Sequence, residues 1–280
     1  MTLSQCIQHY RIQFFILLLL ISGLYFSIVP PMVQQWYHDD NYSHGFLVPF
    51  IAGYFLYRRL DEVKQAAVEP SNLGLLVIVF ALVQLTVAWL ATEYFTLRSS
   101  LIVLLAGMVI YYFGIAIYKA TAMPIAYLFF MVPVPYIIYD AAAFPLKLFV
   151  TKLSVEFLQG VGVAAVREGN IIMFPALTLE VADACSGIRS LVSLLALGVA
   201  YAFFINPGHL KRWVIILSAI PIAIFTNALR VIGTGVLAQY YGASAAEGFF
   251  HEFAGMVVFA MAMAMLVGVG VLLKGRDVKR

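Results

Sequence analysis

Three side chains suited to covalent and proton-transfer chemistry, Cys185, Arg230 and His251, stand in a chain that carries little charge. A thiolate attacks carbonyl carbon, an imidazole carries the proton that a leaving amine needs, and a guanidinium holds an anion without ever losing its own charge. Cys185 lies in the run Ala184-Cys185-Ser186-Gly187, with Arg189 one turn further on. A helix beginning there would offer unpaired amides and a partial positive charge, and with Arg189 it would lower a thiol pKa from its free value near ~8.5. Asn227 precedes Arg230 by three residues, so the two share one face of a helix. Singly, each residue has a plainer use: a packed thiol, an arginine snorkelling to headgroups, a polar boundary histidine. Ionisable groups within membrane spans are expensive and mark candidate sites, so joint placement is what separates the two readings.

The elements that must position these residues follow from composition. Of 280 residues, 63% are hydrophobic and 11% charged, against roughly a quarter charged in soluble domains. That excludes a soluble globular enzyme. About twenty apolar residues cross the hydrocarbon as a helix, and seven runs qualify: Phe14 to Val33, Leu73 to Thr92, Leu97 to Tyr118, Thr121 to Ile138, Cys185 to Phe204, Trp213 to Ala238 and His251 to Leu273. The first lacks a cleavage pattern and is expected to stay as a helix. An eighth, Phe46 to Tyr57, is long enough only if it takes in Tyr42, Ser43 and His44. The expected fold is therefore an all-α polytopic membrane protein with about eight transmembrane helices, in a single membrane-embedded domain over residues 1–280.

Basic residues orient such a bundle, because short loops rich in Lys and Arg stay cytoplasmic. Arg58, Arg59 and Lys64 form one cluster; His209, Lys211 and Arg212 a second; Lys274, Arg276, Lys279 and Arg280 a third. Placing all three inside puts both termini in the cytoplasm and requires the stretch of about 139–184 to start and finish outside without crossing. Phe144 to Gln159 reads as an amphipathic interfacial helix, and Glu168 to Val181 as extended structure or a short hairpin on the outer face. In this arrangement Cys185 opens a helix at the outer surface. Arg230, 17 residues past Trp213, has risen about 25 Å towards the same side, and His251 opens the last helix there. The net charge of +3 is spent on orientation and gives no reason to expect nucleic acid. Cys6 and Cys185 make no disulfide framework, and Cys6 is expected to be cytoplasmic and inert.

The strings ADACSGIRSL (Ala182 to Leu191), TNALRVIGTG (Thr226 to Gly235) and HEFAG (His251 to Gly255) resemble those of the exosortase and archaeosortase family of membrane cysteine transpeptidases, in its bacterial exosortase branch. So do YSHG (Tyr42 to Gly45) and MVPVP (Met131 to Pro135). The resemblance implies Cys185 as nucleophile with Arg230 and His251 completing the catalytic set, and Asn227 as the Asn of an Asn-x-x-Arg pattern. Arg189, Ser186 and His44 are the expected supporting residues. It further implies a protease or transpeptidase that cleaves exported proteins at C-terminal sorting signals of the PEP-CTERM type: a Pro-Glu-Pro motif, a transmembrane helix and a basic tail. The expected route is a thioacyl enzyme resolved by an acceptor amine or water, at the outer, periplasmic face of the bacterial cytoplasmic membrane, with no cofactor. The chain is expected to lack the C-terminal domain that some relatives carry.

Other polar residues have lesser claims. His38, Asp39, Asp40, Asn41 and His44 are read as a solvated loop with His44 and Ser43 packed into the bundle beside the site, in preference to a site for a divalent metal. Glu247 and Glu252 flank His251 as boundary carboxylates, while Glu180 and Asp183 precede Cys185. Two rival functions remain. A transporter would line a pathway with Arg230, His251 and His44, but needs no cysteine and shows no inverted repeat; a non-catalytic subunit of exopolysaccharide export would tolerate loss of all three residues.

Overall fold

The computed structural model describes residues 3–175, 178–181, 188–205, 208–242 and 249–275. The chain is mostly helical and divides into two compact units, Met1–Pro135 and Tyr136–Arg280. Among the described residues, four helices are long and apolar enough to cross a membrane, or up to six if each of two sharply bent pairs is one span.

The first unit holds α1 (Leu3–His9), α2 (Arg11–Leu24), α3 (Val29–His38), α4 (Val48–Arg58), α5 (Leu60–Gln65), α6 (Leu73–Leu90), α7 (Tyr94–Phe113) and α8 (Ile115–Tyr127), with 3₁₀ turns at Asp40–Phe46 and Leu128–Met131. Several expected spans are subdivided. Phe14 to Val33 is cut after Leu24, and α3 restarts with proline in its first turn, where a missing N–H costs nothing. Leu97 to Tyr118 ends early at Gly114, whose φ of 90° stops α7. A Cβ on Gly114 would collide with the carbonyl of Glu69, so only glycine serves there. Tyr118 consequently belongs to α8.

α6 and α7 pack backbone to backbone. A Cβ on Gly74 would fall 2.7 Å from the carbonyl oxygen of Gly107, and one on Gly107 2.9 Å from the amide nitrogen of Ile78. Small residues at such contacts are what membrane helices use where lipid is as apolar as leucine. Polar side chains reinforce the pair. The Gln84 amide donates to Thr96 O at 2.9 Å and to Ser99 Oγ at 3.0 Å, and Glu93 caps α7 by accepting from the Phe95 and Thr96 amides at 3.0 and 2.7 Å. The opposite face of α6 leaves Leu76, Val79, Phe80, Val83 and Val87 exposed, as a lipid-facing surface requires.

The second unit contains α9 (Tyr136–Gly160), a three-stranded antiparallel sheet, α10 (Ile188–Ile205), α11 (His209–Tyr241) and α12 (Phe249–Gly275). The sheet runs β1 (Val166–Glu168), β2 (Ile171–Met173), β3 (Thr178–Glu180) in spatial order, with Val166 opposite Met173 and Ile171 opposite Glu180. The amphipathic segment Phe144 to Gln159 is the greater part of α9, which starts eight residues sooner and absorbs Pro145. Its buried side carries Val150, Val155 and Leu158 against Ile172 and Phe174 beside the sheet and Ala228 and Val231 of α11. Its outer side mixes exposed Phe149, Leu153 and Phe157 with a Lys152–Glu156 pair at 3.8 Å. A second buried cluster joins α10, α11 and α12 through Leu194, Ala202, Ile215, Ala219, Ala262 and Leu266.

Candidate active site

Arg230 sits on α11 between two anchored stretches. Ala228 and Val231 are 3% and 2% exposed within the cluster that covers the sheet, and the Ser154 hydroxyl of α9 reaches the Ala228 carbonyl at 3.5 Å. Four residues upstream of Arg230, Thr226 is fully buried and returns its hydroxyl to the Ile222 carbonyl at 2.9 Å. Asn227 is 2% exposed; an amide so deep in an apolar bundle is costly unless hydrogen-bonded, which marks it as more than a spacer. Arg230 itself is half-buried. These surroundings fix the backbone from which the guanidinium extends.

That guanidinium lies against α12. A Cβ built on Gly255 would stand 3.2 Å from Arg230 Nη2, 3.4 Å from Cζ and 3.8 Å from Nη1. The absent side chain at 255 is therefore the space the arginine occupies. Gly255 is four residues after His251 on the same helix, and positions four apart lie one above the other on one helical face. Arg230 thus meets α12 one turn from the position of His251. Gly255 belonged to the HEFAG string but was not singled out as a site residue; a glycine at i+4 from the histidine was the available signal.

Cys185 and Ser186 lie outside the described residues, as do Asp183 and Glu247. The chain on either side of them is held. Val181, 1% exposed, belongs to the same buried cluster as Val231. Its amide donates to the Asn170 carbonyl at 2.9 Å, and the Asn170 amide returns to the Val181 carbonyl at 3.4 Å and to Glu180 at 3.3 Å. The role of Glu180 is accordingly to close the sheet. Downstream, Leu191 and Val192 of α10 pack on Tyr139 and Ala143 of α9. Arg189 is half-buried in the first described turn of α10.

His44 belongs to the first unit. Its Nε2 is 3.1 Å from the Phe130 carbonyl oxygen, while Tyr42 Oη donates to Val134 O at 3.1 Å and Trp36 Nε1 to Met131 O at 2.8 Å. The stretches Tyr42–Gly45 and Met131–Pro135, ninety residues apart, are therefore partners. Trp36 and Tyr42 are buried; Tyr42 was named within the YSHG string, whereas Trp36 was missed. Nearby, Asp39 accepts from the Asn41 amide at 2.9 Å and so caps the turn. Among the described residues no group of three His, Cys, Asp or Glu is placed to hold a metal.

Long apolar helices with broad exposed apolar faces define a multi-pass membrane protein. Residues 36–268 match the family model described as Transmembrane exosortase (Exosortase_EpsH), and the chain belongs to that family. Neither a curated protein nor a solved structure matches it. Membership implies processing of PEP-CTERM sorting signals.

Proposed function

We infer that the protein is a membrane cysteine transpeptidase in which Cys185, Arg230 and His251 do the chemistry. The observation that carries this reading is the seat of the Arg230 guanidinium on α12 one turn from the His251 position. Chain connectivity supports the third member: Cys185 is four residues from Val181 and three from Ile188, and four residues reach at most about 14 Å. Val181 shares its buried cluster with Val231, the neighbour of Arg230.

In the proposed reaction the Cys185 thiolate adds to the peptide carbonyl carbon near the Pro-Glu-Pro motif, and the oxygen takes the negative charge. Arg230 stabilises that oxyanion or holds the motif's glutamate. Collapse breaks the C–N bond, and His251 gives its proton to the departing amine, leaving a thioester on Cys185. An acceptor amine, or water, deprotonated by His251, then attacks the thioester carbon and returns the thiolate. Asn227 and Arg189 act by positioning, Ser186 and His44 as further supporting residues. No cofactor enters.

The same reading keeps eight spans with both termini in the cytoplasm and the site at the outer, periplasmic face of a bacterial inner membrane. The exported substrate then meets Cys185 where its recognition motif leaves the bilayer. The test is Cys185→Ala with a co-expressed PEP-CTERM substrate. Unprocessed substrate beside normal membrane levels of the variant is the expected result, and continued processing would refute the mechanism.

A further inference from the structure

The sheet of the second unit has two edges, and they differ. β1 is covered from α9: the Gln159 amide donates to the Ala165 carbonyl at 2.7 Å, and the Arg167 guanidinium reaches Leu148 O at 3.3 Å. Beyond β3 no other described strand follows. One bond sets the direction of its backbone groups. The Val181 amide donates to Asn170 O at 2.9 Å, so Val181 faces β2, and because peptide groups alternate along a strand Leu179 does too. Thr178 and Glu180 therefore turn their N–H and C=O groups to the open side, and both are exposed. Cys185 comes four residues after Val181.

An open edge pairs with an extended peptide through main-chain hydrogen bonds. Proline has no N–H to give, and within sheets it keeps to edge strands with its nitrogen turned outward. The two prolines of a Pro-Glu-Pro segment are two positions apart, so both point one way and the glutamate the other. Facing its glutamate to β3, such a segment offers a donor to the edge and hides both missing ones. The faces of the sheet then choose the direction. Directly opposed residues share a face; Leu179 packs on the buried cluster around Ile172, whereas Thr178 and Glu180 lie on the exposed side. Parallel addition would set the substrate carboxylate opposite Leu179, on the apolar side, where charge is costly. Antiparallel addition sets it on the exposed side, and a place opposite Thr178 avoids the like charge of Glu180. The first proline then lies opposite Leu179.

We propose that β3 is the docking edge for the sorting signal, with Pro-Glu-Pro added as an antiparallel strand, its glutamate opposite Thr178 and the residue before the motif opposite Glu180. This rests on the transpeptidase reading and leaves Arg230 to the oxyanion. The test uses the full-length Cys185→Ala protein, co-expressed with a PEP-CTERM substrate and oxidised in isolated membranes. Hydrogen-bonded partners in an antiparallel pair have Cα atoms about 5.5 Å apart, within the range of a disulfide. Glu180→Cys should crosslink to a cysteine placed just before the substrate's first proline, and Glu168→Cys on β1 should not; Cys6 is buried and takes no part. With Cys185 restored, Thr178→Pro removes one edge donor and should slow processing about fivefold, the worth of one hydrogen bond, while Thr178→Ala keeps the backbone and should leave the rate unchanged. Should Thr178→Pro fail to melt cooperatively, the crosslinks decide alone. A crosslink at Glu168, none at Glu180, or equal losses in the two Thr178 variants would overturn the docking edge. Processing that persists in Cys185→Ala would instead refute the cysteine mechanism, so the two readings fail separately.

Discussion

Replacing Gly255 by alanine separates stability from activity in a way that follows from one contact. In a helix interior alanine is favoured over glycine by about 1 kcal/mol, so the bundle gains on that count. The added methyl would lie 3.2 Å from Arg230 Nη2 and 3.4 Å from Cζ, closer than ordinary contact but against the far end of a flexible side chain. The guanidinium yields by a few tenths of an ångström, and the cost stays below the ~1–3 kcal/mol of overpacking a rigid core. Net stability should therefore change by less than about 1 kcal/mol. Catalysis is less forgiving, since a misplacement of about 1 Å costs on the order of a hundredfold; about a tenfold loss is expected for Gly255→Ala, and a deeper loss for the bulkier Gly255→Val. The assay is the rate of substrate processing in cells, paired with a melting curve of the purified protein. Processing within twofold of wild type for both variants would show that the position of Arg230 against α12 does not matter to the reaction.

Orientation can be read on a Cys185→Ala background, because Cys6 is fully buried and would escape reagent on either side. A cysteine at exposed Glu168 on β1 should react with a membrane-impermeant maleimide in intact cells, and one at Lys64 only after permeabilisation; the reverse pattern refutes the proposed topology. Gly74→Ala places a methyl into the backbone of α7 at Tyr111 and Gly107 and should destabilise the first unit by at least about 1–3 kcal/mol, seen as a lowered melting temperature; an unchanged one would show that α6 and α7 can part at no cost. Burial pushes the Glu93 carboxyl up, but hydrogen bonds from the Thr96 hydroxyl and the Thr96 and Phe95 amides, with Arg98 nearby, outweigh it and hold its pKa below the usual glutamate range. Its contribution is then complete above about pH 4.3, the free value, and disappears as pH falls through the lower folded value. Glu93→Gln should cost about 1 kcal/mol at neutral pH and flatten the acid limb of the melting profile; an unaltered acid limb would contradict this.

Hydropathy located the helical material well because burial in lipid depends on composition alone. It misplaced the breaks because these depend on partners far away in sequence. Gly114 stops α7 at a φ of 90°, and what forbids any side chain there is Glu69 O, a contact no local window contains. The prolines around Val134 announce an interruption, yet what makes it tolerable is the set of donors Trp36, Tyr42 and His44. The short hairpin was legible from alternating apolar residues at Leu177 to Val181, whereas the extension of α9 back to Tyr136 was hidden by Pro145. In the candidate site the reactive residue types were evident from their scarcity. The seat of Arg230 was not, since it is defined by a side chain that Gly255 does not have.

The pairing of the turn around Tyr42 with the carbonyls of Phe130, Met131 and Val134 bears on how the protein is made. Three donors near the start of the chain wait for acceptors that emerge from the ribosome some ninety residues later. Until Val134 has been made, Trp36, Tyr42 and His44 lack these three carbonyl partners. A chain interrupted before Phe130 therefore leaves α3 and the turn at Asp40–Phe46 with their own local hydrogen bonds but without the three that tie them to the rest of the first unit.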